Sequence, residues 1–144
     1  MSARTPEELC SQFTQRFSTG DLDALVALYE PQAVLLPQPG HVARGHAAIR
    51  ESLAAFLAMR GTFRMSPPSV IHADGIALLY ADWTLDAKAP DGSPVRLTGQ
   101  TTDVARRQPD GRWLYAIDSP FGAGGPRSLI RRNAGRGKMY RPSR

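Results

Sequence analysis

Two Asp-Gly dipeptides, Asp91-Gly92 and Asp110-Gly111, divide the second half of the chain into runs of alternating apolar and polar residues, and Asp-Gly between such runs is a strong short-range hairpin signal. The pattern predicts strands over about 76–85, 95–107 and 112–119. An earlier strand after Gly61 is interrupted by Pro67-Pro68, because proline cannot donate to a ladder. The first half reads differently. Thr5-Pro6-Glu7-Glu8 is an N-cap, a proline at the first helical position and a capping-box acid; Leu9, Phe13 and Phe17 then recur every four residues and predict a buried helix face. Gly20 ends that helix, and Asp21 caps a short second one with Leu22, Leu25, Val26 and Tyr29 inward, stopped by Pro31. Ala33 to Leu36 reads as a strand, Pro37 to Gly40 as a loop, and His46 to Arg60 as a third helix with Ile49 and Leu53 inward and Gly61 as its stop. Helices first and an antiparallel sheet last place the chain in the α+β class.

The 144 residues suit one domain, and no apolar run approaches the roughly 20 residues that cross a bilayer, so no membrane partner is expected. The amino terminus carries two acids and no following apolar stretch, unlike a secretory signal. A single cysteine, Cys10, fits a reducing compartment, and a cytoplasmic location is expected. The net charge of +5 is concentrated at the end. Residues 122–144 hold seven basic side chains and no acid, whereas in residues 1–121 the 13 acidic side chains outnumber the remaining basic ones. The chain is thus expected to be a folded domain over 1–121 and a basic tail over 122–144, too poor in apolar surface to order itself. A nucleic-acid partner is not expected from a slightly acidic domain.

The run Gly20-Asp21-Leu22-Asp23-Ala24-Leu25-Val26-Ala27-Leu28-Tyr29, followed by Ala33-Val34-Leu35 and by Gly45 with Ala48-Ile49-Arg50, resembles the nuclear-transport-factor-2-like superfamily. Ketosteroid isomerases and SnoaL-like polyketide cyclases belong there. The later Asp103-Val104-Ala105-Arg106-Arg107-Gln108, with Asp110-Gly111-Arg112-Trp113 and Asp118, is similar to small members of that superfamily, some of them loosely labelled oxidoreductases. The likeness spans about residues 5–121. It implies a cystatin-like cone, a curved antiparallel sheet wrapped on three N-terminal helices, with a conical pocket for a small molecule and, commonly, a homodimer. It also implies positions for the three steroid-isomerase groups. Phe13 falls where a tyrosine would be, Pro37 where the base would be, and only Asp103 matches, as the acid that donates to an oxyanion. Proline has no group with which to move a proton, so steroid isomerisation by that route is not expected.

Taking each Asp-Gly as a two-residue turn fixes a register. Tyr80 and Asp118 then both lie opposite Asp103, and Asp82 lies opposite Thr101. One face would carry Tyr80, Asp82, Thr101, Asp103 and Asp118, and the other Trp83, Trp113, Tyr115 and Ile117 as an apolar subunit interface. Two carboxylates opposed across a ladder lie about 5 Å apart at Cβ and repel unless one keeps a proton. Asp103 and Asp118 are therefore the candidate catalytic pair. The candidate substrate-binding residues are Phe13, Phe17, Tyr29, Tyr80, Asp82, Thr101 and His41, the last from the loop at the pocket mouth. The ligand expected is a small apolar molecule, polyketide- or steroid-like, acted on by an isomerase or cyclase, or else held by a non-catalytic binder or dimeric scaffold. His41, His46, His72 and Cys10 have no metal-ligand spacing. No phosphate loop, nucleotide fingerprint or nucleophile elbow occurs, and no cofactor is expected.

Overall fold

The computed structural model describes residues 2–122; the basic stretch of residues 123–144 lies outside them. Helix α1 (Pro6–Thr19) starts where Thr5 accepts the Glu8 N–H at 3.1 Å. The Glu8 carboxylate reaches one residue further back than in a standard capping box and accepts the Arg4 N–H at 2.6 Å. Gly20 closes the helix with φ 70°, and the Asp21 N–H returns to the Arg16 carbonyl at 3.2 Å. Asp21 then caps α2 (Leu22–Val26) by accepting from the Ala24 N–H. Tyr29 is not the last residue of that helix. It opens strand β1 (Tyr29–Leu35), which runs through Pro31. A two-residue strand β2 (Ala43–Arg44) leads into α3 (Gly45–Ala58), which buries Ile49 and Leu53. Arg60, not Gly61, takes the left-handed conformation after α3, with φ 49°. Gly61 is required for space, since a Cβ there would lie 2.7 Å from the Asp86 carbonyl oxygen and Leu85 Cδ1.

Strands β3 (Thr62–Met65) and β4 (Ser69–Ala73) flank Pro67-Pro68 and pair with the two halves of one long strand, β5 (Ile76–Lys88). Strands β6 (Pro94–Arg107) and β7 (Trp113–Ser119) complete a sheet ordered β2-β1-β7-β6-β5-β3, with β4 also against β5. The sheet is curved and unclosed, and its inner face packs on the helices around Leu9, Leu25, Tyr29, Ile49, Leu79 and Tyr115. It is mixed rather than wholly antiparallel. The helical first half returns β1 to the sheet parallel to β7, a long-range pairing that local turn signals do not encode.

Both Asp-Gly turns contain one more residue than a two-residue hairpin. Pro90-Asp91-Gly92 and Pro109-Asp110-Gly111 are type I turns ended by a left-handed glycine, with φ 85° at Gly92 and 88° at Gly111. Gly92 N–H donates to Ala89 and Gly111 N–H to Gln108, each at 2.9 Å. The preceding proline decides this form, because it supplies the first turn residue with the φ that a type I turn needs and an Asp-Gly primed turn does not. Between β5 and β6 the register moves by one, so that Leu79, Ala81 and Trp83 face Asp103, Thr101 and Gly99. Between β6 and β7 the same shift holds near the turn, where Ala105 pairs with Tyr115. A bulge at Ala116 then cancels it, and Asp103 does pair with Asp118.

The outer face follows from this register. Trp83, Trp113 and Tyr115 are buried in the core and do not form an outer apolar face. Tyr80, Asp82 and Thr102 point outward. Beside them a lateral row of Val34, Ile117, Val104, Leu78 and Ile71 crosses five strands in direct register, with Ile117 42% and Ile71 58% exposed.

Candidate functional site

The helices and the inner face of the sheet enclose a cavity that opens to solvent, with about 540 Å³ of empty space counted out through its mouth. Phe13 and Phe17 of α1 project into it from one side, and Leu53 and Phe56 of α3 from another. The sheet supplies Phe63 and Met65 from β3 and Trp83 and Leu85 from β5. The aromatic rings form one continuous wall. Phe63 lies 5.6 Å from Phe13, 5.1 Å from Phe17 and 5.9 Å from Trp83 between ring centroids, and Phe13 meets Tyr115 edge-on at 6.3 Å. Trp83 is fixed by its indole N–H, which donates to the Pro120 carbonyl at 2.6 Å. Gly99 makes that bond possible, since a Cβ there would lie 2.7 Å from both the Pro120 oxygen and Trp83 Nε1.

The polar end of the cavity is Thr101, Asp103, Tyr115 and Asp118. Asp103 is 2% and Asp118 7% exposed. Asp103 Oδ1 accepts the Thr101 hydroxyl at 2.6 Å and the Ser119 N–H at 3.1 Å. Asp118 Oδ2 accepts the Tyr29 hydroxyl at 2.5 Å. Burial, and then the adjacent Asp118 charge, raise the Asp103 pKa well above the ordinary aspartate range. Burial raises Asp118 as well, opposed by the hydrogen bonds it accepts from Asp103 and Tyr29. The two opposed carboxyls therefore titrate as a coupled pair that keeps a proton above the ordinary aspartate range. Burial and the neighbouring carboxylate push the Tyr29 phenol upward. Tyr115, raised chiefly by burial, donates to Cys10 Sγ at 3.6 Å, and burial pushes the Cys10 thiol up to about 12. Neither phenol nor thiol ionises near neutral pH, which leaves the two aspartates as the titrating groups of the cavity.

The residues singled out from sequence divide into three groups. Asp103, Asp118, Thr101, Phe13 and Phe17 come together at the cavity. Tyr29 lies behind it and reaches it through Asp118, and His46 Nε2, 2.8 Å from the Tyr29 carbonyl oxygen, pins that residue's backbone. Tyr80 and Asp82 are corrected to the opposite face, because the three-residue turn shifts β5 by one position and each such shift inverts a strand's faces. His41 is exposed in its loop, 3.3 Å from the Pro39 carbonyl oxygen, and does not line the cavity. The wall residues from β3 and β5, and the Tyr115–Cys10 contact, were not foreseen; Phe63 was not singled out, and Trp83, expected on an outer subunit interface, is instead buried at the cavity. Among the described residues no group of three or more His, Cys, Asp or Glu is placed to hold a metal ion, and no helix is long and apolar enough to cross a membrane.

Comparison with solved structures returns the same architecture. A nuclear transport factor 2-like superfamily protein from Salmonella enterica serovar Typhimurium is 19% identical, with 78% of this chain and 84% of that one covered and a TM-score of 0.69. A cystatin-like-fold protein from Caulobacter vibrioides is 18% identical over 90% of this chain and 94% of that one, with a TM-score of 0.68. A candidate dehydratase of the NTF2-like family from Streptomyces avermitilis is 20% identical over 80% of this chain and 93% of that one, with a TM-score of 0.66. A search of the curated proteins finds no match. The family model for the SnoaL-like domain matches residues 11–116, which run from within α1 into β7 and hold the aromatic wall and Asp103. With most of its length so matched, this chain belongs to the SnoaL-like domain family, and it shares its fold with the solved NTF2-like and cystatin-like-fold proteins.

Proposed function

We propose that the cavity binds a small, largely apolar molecule and that Asp103 and Asp118 carry out cofactor-independent proton transfer on it, in a reaction of isomerase or cyclase type. The observation that carries this reading is the register pairing of two buried carboxyls at the polar end of an aromatic cavity. Two like groups whose surroundings separate their protonation states make an acid and a base. Asp103 is the acid, with its Oδ1 fixed by Thr101 and Ser119 so that Oδ2 is left to hold the proton. Asp118 is the base, oriented by Tyr29 on Oδ2 so that Oδ1 is left to receive one. A substrate proton taken by Asp118 and the Asp103 proton delivered to a developing oxyanion complete an enolisation without a metal or redox step. The candidate dehydratase among the structural relatives is compatible with that class of chemistry.

The test is deuterium wash-in, followed by NMR, on a panel of enolisable aryl ketones and amino ketones in D2O. Exchange should be accelerated by the protein and lost in Asp118→Asn. Compounds that bind without accelerated exchange would support the second reading, a non-catalytic binder, which the proline at the position of the family base favours.

A further inference from the structure

The hydrogen-bonding groups of the cavity can be fully accounted for. Among its lining side chains, four carry a donor. The Thr101 hydroxyl donates to Asp103, the Tyr115 hydroxyl to Cys10 and the Trp83 indole to Pro120, and the proton kept by the coupled aspartates lies between the two carboxyls. Every donor is engaged within the protein. What remains toward the cavity is acceptor capacity, the free lone pairs of Asp118 Oδ1 and Asp103 Oδ2. Among the described residues no Lys, Arg or His lines the cavity, so a carboxylate charge there has no protein counter-ion. The rest of the wall presents aromatic rings, whose faces attract cations.

A buried carboxyl pair without a counter-ion and a wall of aromatic faces specify a complementary ligand. We propose that the ligand of this site is a hydrophobic amine, whose protonated nitrogen donates to Asp118 and Asp103 while its apolar body lies among Phe13, Phe63 and Trp83. This rests on the reading of the cavity as the ligand site, in its non-catalytic form, and names the class of molecule it takes. An acceptor-only ligand such as a simple ketone must compete with Asp118 for the Asp103 proton. An anionic ligand meets a carboxylate and no cation. An ammonium does neither, and in pairing with both carboxylates it displaces the proton between them.

That displacement sets the sign of a pH dependence. The titratable groups facing the pair are Cys10 of α1, Tyr29 of β1 and Tyr115 of β7, all held neutral by burial; α3, β3 and β5 place no titratable side chain on the cavity. Amine binding therefore releases one proton from the aspartates and tightens as pH rises, until the amine loses its own proton. A ligand that needs the Asp103 proton behaves in the opposite way.

The experiment is calorimetry on the full chain with four compounds sharing one ring system: naphthylmethylamine, naphthylmethanol, acetonaphthone and naphthoate. At about pH 8 the amine is expected to bind at least about tenfold more tightly than acetonaphthone, and naphthoate not measurably. From about pH 6 to about pH 8 the amine's affinity should rise, with proton release seen as a dependence of the heat on buffer ionisation enthalpy. Asp118→Asn should remove the amine's advantage and leave naphthylmethanol binding within a factor of about three. Asp103→Asn, which retains Asp118, should keep the preference for the amine and lose the proton release. Acetonaphthone binding as well as the amine would overturn this inference and leave the cavity reading standing. No binding by any of the four would overturn both.

Discussion

Replacing Asp103 by Asn is the most direct probe of the buried pair. The change keeps the shape and the hydrogen bonds. Asn Oδ1 can accept from Thr101 and Ser119 as Asp103 Oδ1 does at 2.6 Å and 3.1 Å, and Asn Nδ2 can donate to Asp118 in place of the shared proton. No cavity or unsatisfied polar atom is created, so the structural cost is small. The electrostatic consequence is larger. The folded pair Asp103–Asp118 holds a proton that the unfolded chain releases above about pH 4. A carboxyl whose folded pKa is raised contributes stability below the unfolded value and loses it as pH rises toward the folded one. One retained proton makes the wild type lose up to about 1.4 kcal/mol per pH unit relative to a variant without it. Between about pH 5 and pH 6.5 the advantage of Asp103→Asn should therefore grow by up to about 2 kcal/mol, and near pH 4 it should vanish. Urea denaturation of both proteins at a series of pH values measures this as diverging midpoints at constant slope. Parallel stability curves, or an Asn variant destabilised at neutral pH, would refute the shared proton. Two ordinary, independent aspartate titrations in the side-chain carbon NMR spectrum would do the same.

Tyr29→Phe removes the hydroxyl that Asp118 accepts at 2.5 Å and should cost about 1–3 kcal/mol in the same denaturation assay, with the loss largest where Asp118 is ionised; an unchanged midpoint would detach Tyr29 from the pair. Gly99→Ala forces a Cβ to within 2.7 Å of Trp83 Nε1 and the Pro120 oxygen, so it should break that hydrogen bond, shift the tryptophan fluorescence and cost about 1–3 kcal/mol. A homodimer through the outer row of Val34, Ile117, Val104, Leu78 and Ile71 is expected to dissociate in Ile117→Asp, which would bury an unpaired charge; light scattering showing an unmutated monomer would end that expectation. A chain ending at Gly122 retains every capped helix and paired strand described here and should melt within a few degrees of the full chain by calorimetry.

The parts of the fold legible in sequence were those with local causes. Thr5 and Asp21 as caps, Gly20 as a stop and the break at Pro67-Pro68 each act within a few residues, and each stands where expected. The register depended on one further local signal, the proline before each Asp-Gly. Ignoring it moved Tyr80 and Asp82 into the cavity and Trp83 out of it. Asp103 was nevertheless paired correctly with Asp118, because the omitted turn residue and the unforeseen bulge at Ala116 cancel. The aromatic wall was not legible, since Phe13, Phe63 and Trp83 meet only after α1 and two strands converge. The parallel β1–β7 pairing that brings Tyr29 to Asp118 spans 89 residues of sequence, and no spacing rule reaches that far.

The bulge at Ala116 makes the acid pair depend on the local path of β7 as well as on residue identity. Along a regular strand Tyr115 and Asp118, three positions apart, would face opposite ways; with one residue looped out both point inward. Deleting Ala116 would remove the bulge, place Tyr115 and Asp118 two positions apart on the same inward face of a regular strand and keep Asp118 opposite Asp103. Straightening the strand without a deletion would instead turn Ile117 inward and Asp118 to the solvent face. Among relatives that keep both aspartates, a single-residue gap between the Asp-Gly turn and the second aspartate therefore marks a chain that needs no bulge to assemble the pair.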